Sequence, residues 1–259
     1  MNILVCIKRV PMTGSRIRLT EDEQMIDTKN LRFWMSPHEE CALEEAVRIA
    51  KARTEAGEEC ITKVLTLGPA DAADQLKHGM AMGIQDGILI ETDGSDWDPM
   101  ATSTALVEAV EAEKAAGVEY DLILFGNESA DSGGFQVGMR VAHKLGIPAV
   151  TGIKALEFAD GKAVAKRETT SGFDIYEVPL PAVVAVKEGL NLPRYPSVPG
   201  RLKAKRKKIP VLTSENRPGG PDKVRLKNPP ATEIETEMLG EGAAAAGRIV
   251  DILEELGAI

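Results

Sequence analysis

The sequence predicts an α/β protein with a doubly wound, mostly parallel sheet, antiparallel excursions from that sheet, and an extended C-terminal arm. Short apolar runs at 3–7, 64–67, 87–90, 122–125 and 182–186 alternate with helical patterns through the first 150 residues and beyond. Such runs suit strands buried on both faces and joined by crossover helices. The apolar content is 43% but the aromatic content only 4%, which favours helices packed on a parallel sheet over a sandwich or a ring-filled barrel. After Pro210 the stretch ENRPGGPDKVRLKNPPATE is rich in proline, glycine and charge and has no periodicity, so it reads as an arm rather than a second domain.

Taken in order, NILVCIK opens the chain as a strand, and IRLTEDEQMID (17–27) reads as a surface hairpin. A helix opens at Pro37 with strong local logic. Ser36 can accept from first-turn amides, Pro37 suits the first helical position, and Glu39 reaches back to complete a capping box. Its core face would be Ala42, Leu43, Ala46, Val47 and Ala50. Further helices are expected over 70–82, 99–116 and from about Gly134 to Leu145, with Gly83 and Gly146 as C-caps. Residues 153–178 alternate around Asp160-Gly161 and Ser171-Gly172, as antiparallel segments do. The final helix, AAAAGRIVDILEEL, aligns Ile249, Ile252, Leu253 and Leu256 on one face that must cover something. The expected organisation is a nucleotide-binding domain over 1–209 and an arm with a helix over 210–259.

Composition excludes several classes. No run reaches the length of a membrane span and no presequence is evident, so a soluble bacterial cytoplasmic protein is expected. Cys6, Cys41 and Cys60 are odd in number and lack metal spacing, which argues against a disulfide framework or a zinc site. His78 and His143 read as exposed or satisfied, while His38 remains open. There is no GxSxG, no HExxH and no readable Cys/His/Asp arrangement, so no catalytic residue is assigned. Glu39, Glu40, Glu44 and Glu45 read as a capping residue plus a solvated face.

The segment DLILFGNESADSGGFQVGMRVAHKLG (121–146) joins a buried strand to an amphipathic helix through a polar, glycine-containing turn. Ligands of open parallel sheets sit beyond the carboxyl ends of the strands, where a helix N-terminus favours phosphate. Gly133 and Gly134 would place bare amides at that helix start, Asn127, Ser129 and Ser132 add short polar side chains, and Asp131 could cap the helix or bind a sugar hydroxyl. A plain connecting turn is the competing reading. There is no GxGxxG and no P-loop, and Phe135-Gln136 follows the SGG instead of Asp-Ser. The chain thus reads as a nucleotide binder without chemistry of its own.

The second conspicuous segment is NLPRYPSVPGRLKAKRKKIPV (191–211), which carries seven cations in a chain of formal net charge -9, with no carboxylate between Glu188 and Glu215. One tyrosine in a protein of pI about 5.1 is a poor nucleic-acid surface. Pro193, Pro196 and Pro199 stiffen the turn and hold Val198 where no core pattern wants it, which suggests a docking loop for acidic partners.

These residues resemble the beta subunit family of electron transfer flavoprotein. The resemblance is carried by NLPRYPSVPGRLKAKRKKI (191–209), with VCIKRVP (5–11), SPHEECALEEAVRIAK (36–51), LGPADAADQLKHGMAMG (67–83) and GNESADSGGFQVG (126–138) in support, and it spans essentially the whole chain. It implies an adenine nucleotide alpha-hydrolase-like fold and a heterodimer with an alpha subunit. The FAD of that heterodimer shuttles electrons from dehydrogenases, such as acyl-CoA dehydrogenases, to a quinone oxidoreductase at the membrane. It also implies a structural AMP in this subunit, replaced by a second FAD in electron-bifurcating members.

Carried over by position, the nucleotide site comprises Cys6, Ser36, Pro37, His38, Glu39, Leu67, Gly126, Asn127, Glu128, Ser129, Ala130, Asp131, Ser132, Gly133, Gly134, Phe135, Gln136 and Val137. Ordinary members often carry a run of acids and then Gln-Thr-Gly in this loop, and bifurcating members an Asp-Gly-Asp. Here Asp131-Ser132-Gly133 keeps only the first acid, and Gln136-Val137-Gly138 follows the bifurcating pattern. In the docking loop the resemblance places the apolar anchor at Val198, where a leucine is often found, with Arg194, Tyr195, Pro199, Arg201 and Lys203 around it. It also has the C-terminal arm wrap the alpha subunit. A stand-alone nucleotide-sensing domain with a basic loop for an acidic regulator is the alternative from another class.

Overall fold

The structure is a computed structural model that describes residues 1–230 and 236–259; positions 231–235 of the expected arm lie outside them. The predicted strands and helices appear in the expected order. The strands are β1 (Asn2–Cys6), β2 (Val10–Pro11), β3 (Phe33–Trp34), β4 (Ile61–Gly68), β5 (Asp86–Glu91), β6 (Leu122–Gly126), β7 (Ala149–Ala159), β8 (Lys162–Thr169), β9 (Gly172–Pro179), β10 (Ala182–Val186) and β11 (Val211–Leu212). The helices are α1 (Pro37–Glu55), α2 (Ala73–Met82), α3 (Pro99–Ala115), α4 (Val137–Leu145), α5 (Val198–Arg206) and α6 (Ala246–Glu255).

Nine strands form one sheet in the order β11-β5-β4-β1-β6-β10-β7-β8-β9, parallel from β11 to β7 and antiparallel through β8 and β9. Residues alternate between its faces. Ile3 and Val5 of β1 point into a core covered by α1 and α2, while Leu4 and Cys6 point into a second core with α3 and α4. The predicted core face of α1 holds, with Ala42, Leu43, Ala46 and Val47 buried and Ala50 packed against them. Central β1 has β4 on one side and β6 on the other. The chain therefore reverses its winding direction between β1 and β6, and open α/β sheets take ligands beyond the carboxyl ends of the strands at such a point.

The segment 153–178 lies in a three-stranded meander turned at Asp160-Gly161 as expected and at Thr170-Ser171, one residue before the expected Ser171-Gly172, since Gly172 already pairs with Thr169 in β9. An antiparallel bridge, Leu19 to Ile26, marks the predicted hairpin. The sheet continues past residue 209, because β11 adds to the edge of β5. The following arm is tied to its own domain. Ser214 and Arg217 bond to Glu108, Gly219 and Gly220 donate to Asp98, and Leu226 donates to the carbonyl of Glu23. No residue of α6 is buried; of the apolar stripe predicted there, Ile249 and Leu256 are exposed and Ile252 and Leu253 half-buried. No helix among the described residues is long and apolar enough to cross a membrane.

Candidate functional site

The capping box at the start of α1 does more than begin a helix. The Ser36 hydroxyl accepts from the Glu39 amide at 3.3 Å and donates to the carbonyl of Glu128 at 3.1 Å, on the loop after β6. One oxygen of the Glu39 carboxylate accepts from the Ser36 amide and the other from the Lys8 amide, both at 2.8 Å. The end of β1, the start of α1 and the loop after β6 are thereby fastened at one point. Gly126 makes this possible, since a Cβ there would lie 2.7 Å from Glu39 Cγ and 3.0 Å from its amide nitrogen. Burial pushes the Glu39 carboxyl up to about 8, against the opposing pull of its two amide donors and of Lys8. Burial, with Glu39 nearby, also pushes the Cys6 thiol up, which keeps it an inert core group. All three cysteines are free and buried.

His38 sits between two segments. Its Nδ1 accepts from the Glu188 amide at 2.8 Å, and its Nε2 lies 3.3 Å from the carboxylate of Glu128. The residue left open by sequence reasoning is thus a bridge from the loop after β6 to the chain leaving β10. Asp131 pairs with Lys8 at 2.5 Å and accepts from the Ser132 amide. Burial raises its carboxyl, but the Lys8 ammonium, then Ser129 and Ser132, outweigh that and hold it below the usual range. Lys8, which sequence reasoning passed over, was detectable as the first of two adjacent cations, Lys8 and Arg9, just past the first strand.

Two expectations need correction. The fourth helix starts at Val137, not near Gly134, because Gly133 and Phe135 both adopt a φ of 55°, which a right-handed helix cannot accommodate. The two glycines therefore belong to the open loop, and a Cβ on Gly134 would meet no atom within 4 Å. Nor does Asp131 cap that helix. Gln136 precedes it with no side-chain capping bond, so its first-turn amides have no capping side chain. Close packing of α4 on β6 depends on Gly138, where a Cβ would come within 3.2 Å of the Phe125 ring. Leu67, at the end of β4, lies one strand further out and packs into the α3/α4 core.

The carboxylates assigned to a solvated face of α1 are another correction: Glu44 and Glu45 are buried and Glu40 is half-buried. Glu44 accepts from Arg194 through Nε at 2.7 Å, Nη2 at 2.8 Å and the backbone amide at 3.2 Å. Glu45 accepts from Asn191 at 2.9 Å and Glu40 from the Trp34 indole at 2.9 Å. Arg194 consequently faces its own domain. Val198 is not in a loop but at the first turn of α5, capped by the Ser197 hydroxyl. Gly200 lets α5 lie against α2, since a Cβ there would be 2.6 Å from the Ala81 carbonyl oxygen. Pro199, Arg201 and Lys203 are exposed beside it. Val198 is 69% exposed and has company, with Leu192 at 91%, Tyr195 at 94% and Leu202 at 56%. The signal for the two leucines was the one used for Val198, apolar residues without a core period.

A protein-family model described as the electron transfer flavoprotein domain matches residues 25–216. The chain is 34% identical over 234 residues to the electron transfer flavoprotein subunit beta of Mycobacterium bovis, covering 90% of this chain and 86% of that one. It is 36% identical over 214 residues to the corresponding subunit of Syntrophomonas wolfei, covering 83% and 79%. Similarity extends to the mitochondrial subunit beta of Arabidopsis thaliana, 35% identical over 218 residues and 83% of both chains. With the family domain spanning most of the chain and relatives at this identity along nearly all of it, the chain belongs to the electron transfer flavoprotein family, as a beta subunit.

Proposed function

We propose that this chain pairs with an electron transfer flavoprotein alpha subunit, binds AMP beyond the carboxyl ends of β1 and β6, and presents residues 191–209 to a dehydrogenase. The observation that carries the nucleotide reading is the convergence of Ser36, His38, Glu39, Lys8 and the loop 126–137 at the carboxyl ends of β1 and β6, where the winding direction reverses. The residues present suit a nucleotide monophosphate. The first-turn amides of α4, without a capping side chain, suit phosphate, with Lys8 as a nearby cation. Ser129, Asp131 and Ser132 suit sugar hydroxyls. The Gln136-Val137-Gly138 run favours a second reading, in which a second FAD replaces AMP in a bifurcating complex.

The FAD of the heterodimer supplies the redox chemistry, and the residues of this chain bind, orient and dock. Electrons would pass from dehydrogenases such as acyl-CoA dehydrogenases to a quinone oxidoreductase, with no acid or base needed from this subunit. Val198, projecting from a cationic surface, is the anchor, and the cations around it steer an acidic partner. In the heterodimer, Val198→Asp is expected to slow reduction by an acyl-CoA dehydrogenase while flavin content and assembly stay intact. Loss of flavin or of the alpha subunit in that variant would make the segment structural. Purification as a stable monomer with no alpha partner would favour the nucleotide-sensing alternative.

A further inference from the structure

The docking segment leaves β10 at residue 187 and, from its proline content alone, would be a stiff but free loop. Three successive turns of α1 hold it instead. His38 accepts from the Glu188 amide, Asn191 donates to the Cys41 carbonyl at 3.0 Å and to Glu45 at 2.9 Å, and Arg194 donates three bonds to Glu44. Residues 38, 41 and 45 are spaced i, i+3 and i+7, so they form one stripe on the helix, with Glu44 beside it. The Glu44 side chain is only 6% exposed. A charge so withdrawn from water must keep its partner, and the planar arginine fork answers both carboxylate oxygens at once. Only three residues separate Arg194 from Val198, and two of them, Pro196 and the α5 cap Ser197, are conformationally restricted.

We infer that Glu44 is a positioning residue for dehydrogenase docking: it clamps Arg194 and so presets the direction in which Val198, Leu192 and Tyr195 are presented. This rests on the docking function proposed above. Without the clamp the segment samples other arrangements, and the partner must order it on binding, which weakens docking without touching the flavin.

The test uses the heterodimer with Glu44→Gln and, because a fold defect is conceivable for any buried site, Arg194→Lys, which keeps the charge but loses the fork. Amide hydrogen exchange in 190–197 should quicken at least about fivefold in both, with β1 and β6 unchanged. With an acyl-CoA dehydrogenase reduced by butyryl-CoA, KM for the flavoprotein should rise about five- to tenfold at unchanged kcat and flavin content. Exchange in 190–197 equal to wild type in Glu44→Gln overturns the inference, and so does a rise spread over β1 and β6 in both variants. A locally raised exchange with unchanged KM also overturns it, because the clamp then serves no docking. If Val198→Asp leaves KM unmoved, it is the docking function itself that fails.

Discussion

Gly126→Ala is the substitution that most directly loads the junction of β1, α1 and the loop after β6. The new methyl would lie 2.7 Å from Glu39 Cγ, 3.0 Å from the Glu39 amide nitrogen and 3.2 Å from His38 Cβ. Carbon contacts are comfortable at about 3.5–4.0 Å, so the helix start must retreat by nearly 1 Å. It cannot do so quietly, because the Glu39 amide is held by Ser36 and the Glu39 carboxylate by the Ser36 and Lys8 amides. Overpacking of this kind costs about 1–3 kcal/mol, and loosening the cap about 1 kcal/mol more. The sum, about 3 kcal/mol, corresponds to a Tm lower by roughly 6–12 °C in a domain of this size. Thermal unfolding of the heterodimer checks the stability, and nucleotide content after purification checks the site. A variant within about 0.5 kcal/mol of wild type with full nucleotide would refute the claim that this junction is tightly fastened.

Two further perturbations address the site's electrostatics and the arm. Because burial raises the Glu39 carboxyl to about 8 from an ordinary 4.5, the folded chain binds that proton more tightly than the unfolded one. Its contribution is complete below about pH 4.5 and is lost as pH rises through 8, at no more than about 1.4 kcal/mol per pH unit. Urea unfolding at several pH values in that window should show the stability of wild type relative to Glu39→Gln shrinking as pH rises; a flat difference means Glu39 is ionised throughout. Asp98 accepts from four backbone amides, Met100 and Ala101 at the start of α3 and Gly219 and Gly220 of the arm. Burial raises that carboxyl, but the four donors together hold it below its usual range. Asp98→Ala should cost about 1 kcal/mol through the lost cap, and should make the chain after residue 213 quickly cleaved in limited proteolysis. An arm equally protected in the variant would show that it is held by other contacts.

What could be read from the sequence followed the strength of local signals. Strands such as 182–186 were delimited to the residue because they are apolar runs buried on both faces, and α1 was placed by a capping box whose partners are three residues apart. The start of α4 was misplaced because Phe135 takes a left-handed φ, a conformation that its residue type argues against. The burial of Glu44 and Glu45 was invisible for a different reason. Their partners Arg194 and Asn191 lie about 150 residues away, and no helical period announces a carboxylate that is buried because another segment covers it. His38 shows the same limit, since its two contacts come from Glu128 and Glu188. Position relative to the strands pointed to the ends of β1 and β6, but only the folded arrangement shows that the first turn of α1 holds both the loop after β6 and the start of the segment leaving β10, while its next two turns hold the rest of that segment.

Under the proposed function, this chain holds a nucleotide of its own beyond the carboxyl ends of β1 and β6, separate from the flavin of the heterodimer. The most direct test of this claim is to purify the complex with the alpha subunit, denature it and quantify the released nucleotides by chromatography. One FAD and one AMP per heterodimer is the predicted result. One FAD and no adenine nucleotide would contradict the claim, and two FAD would keep the site but replace AMP with the flavin of a bifurcating complex.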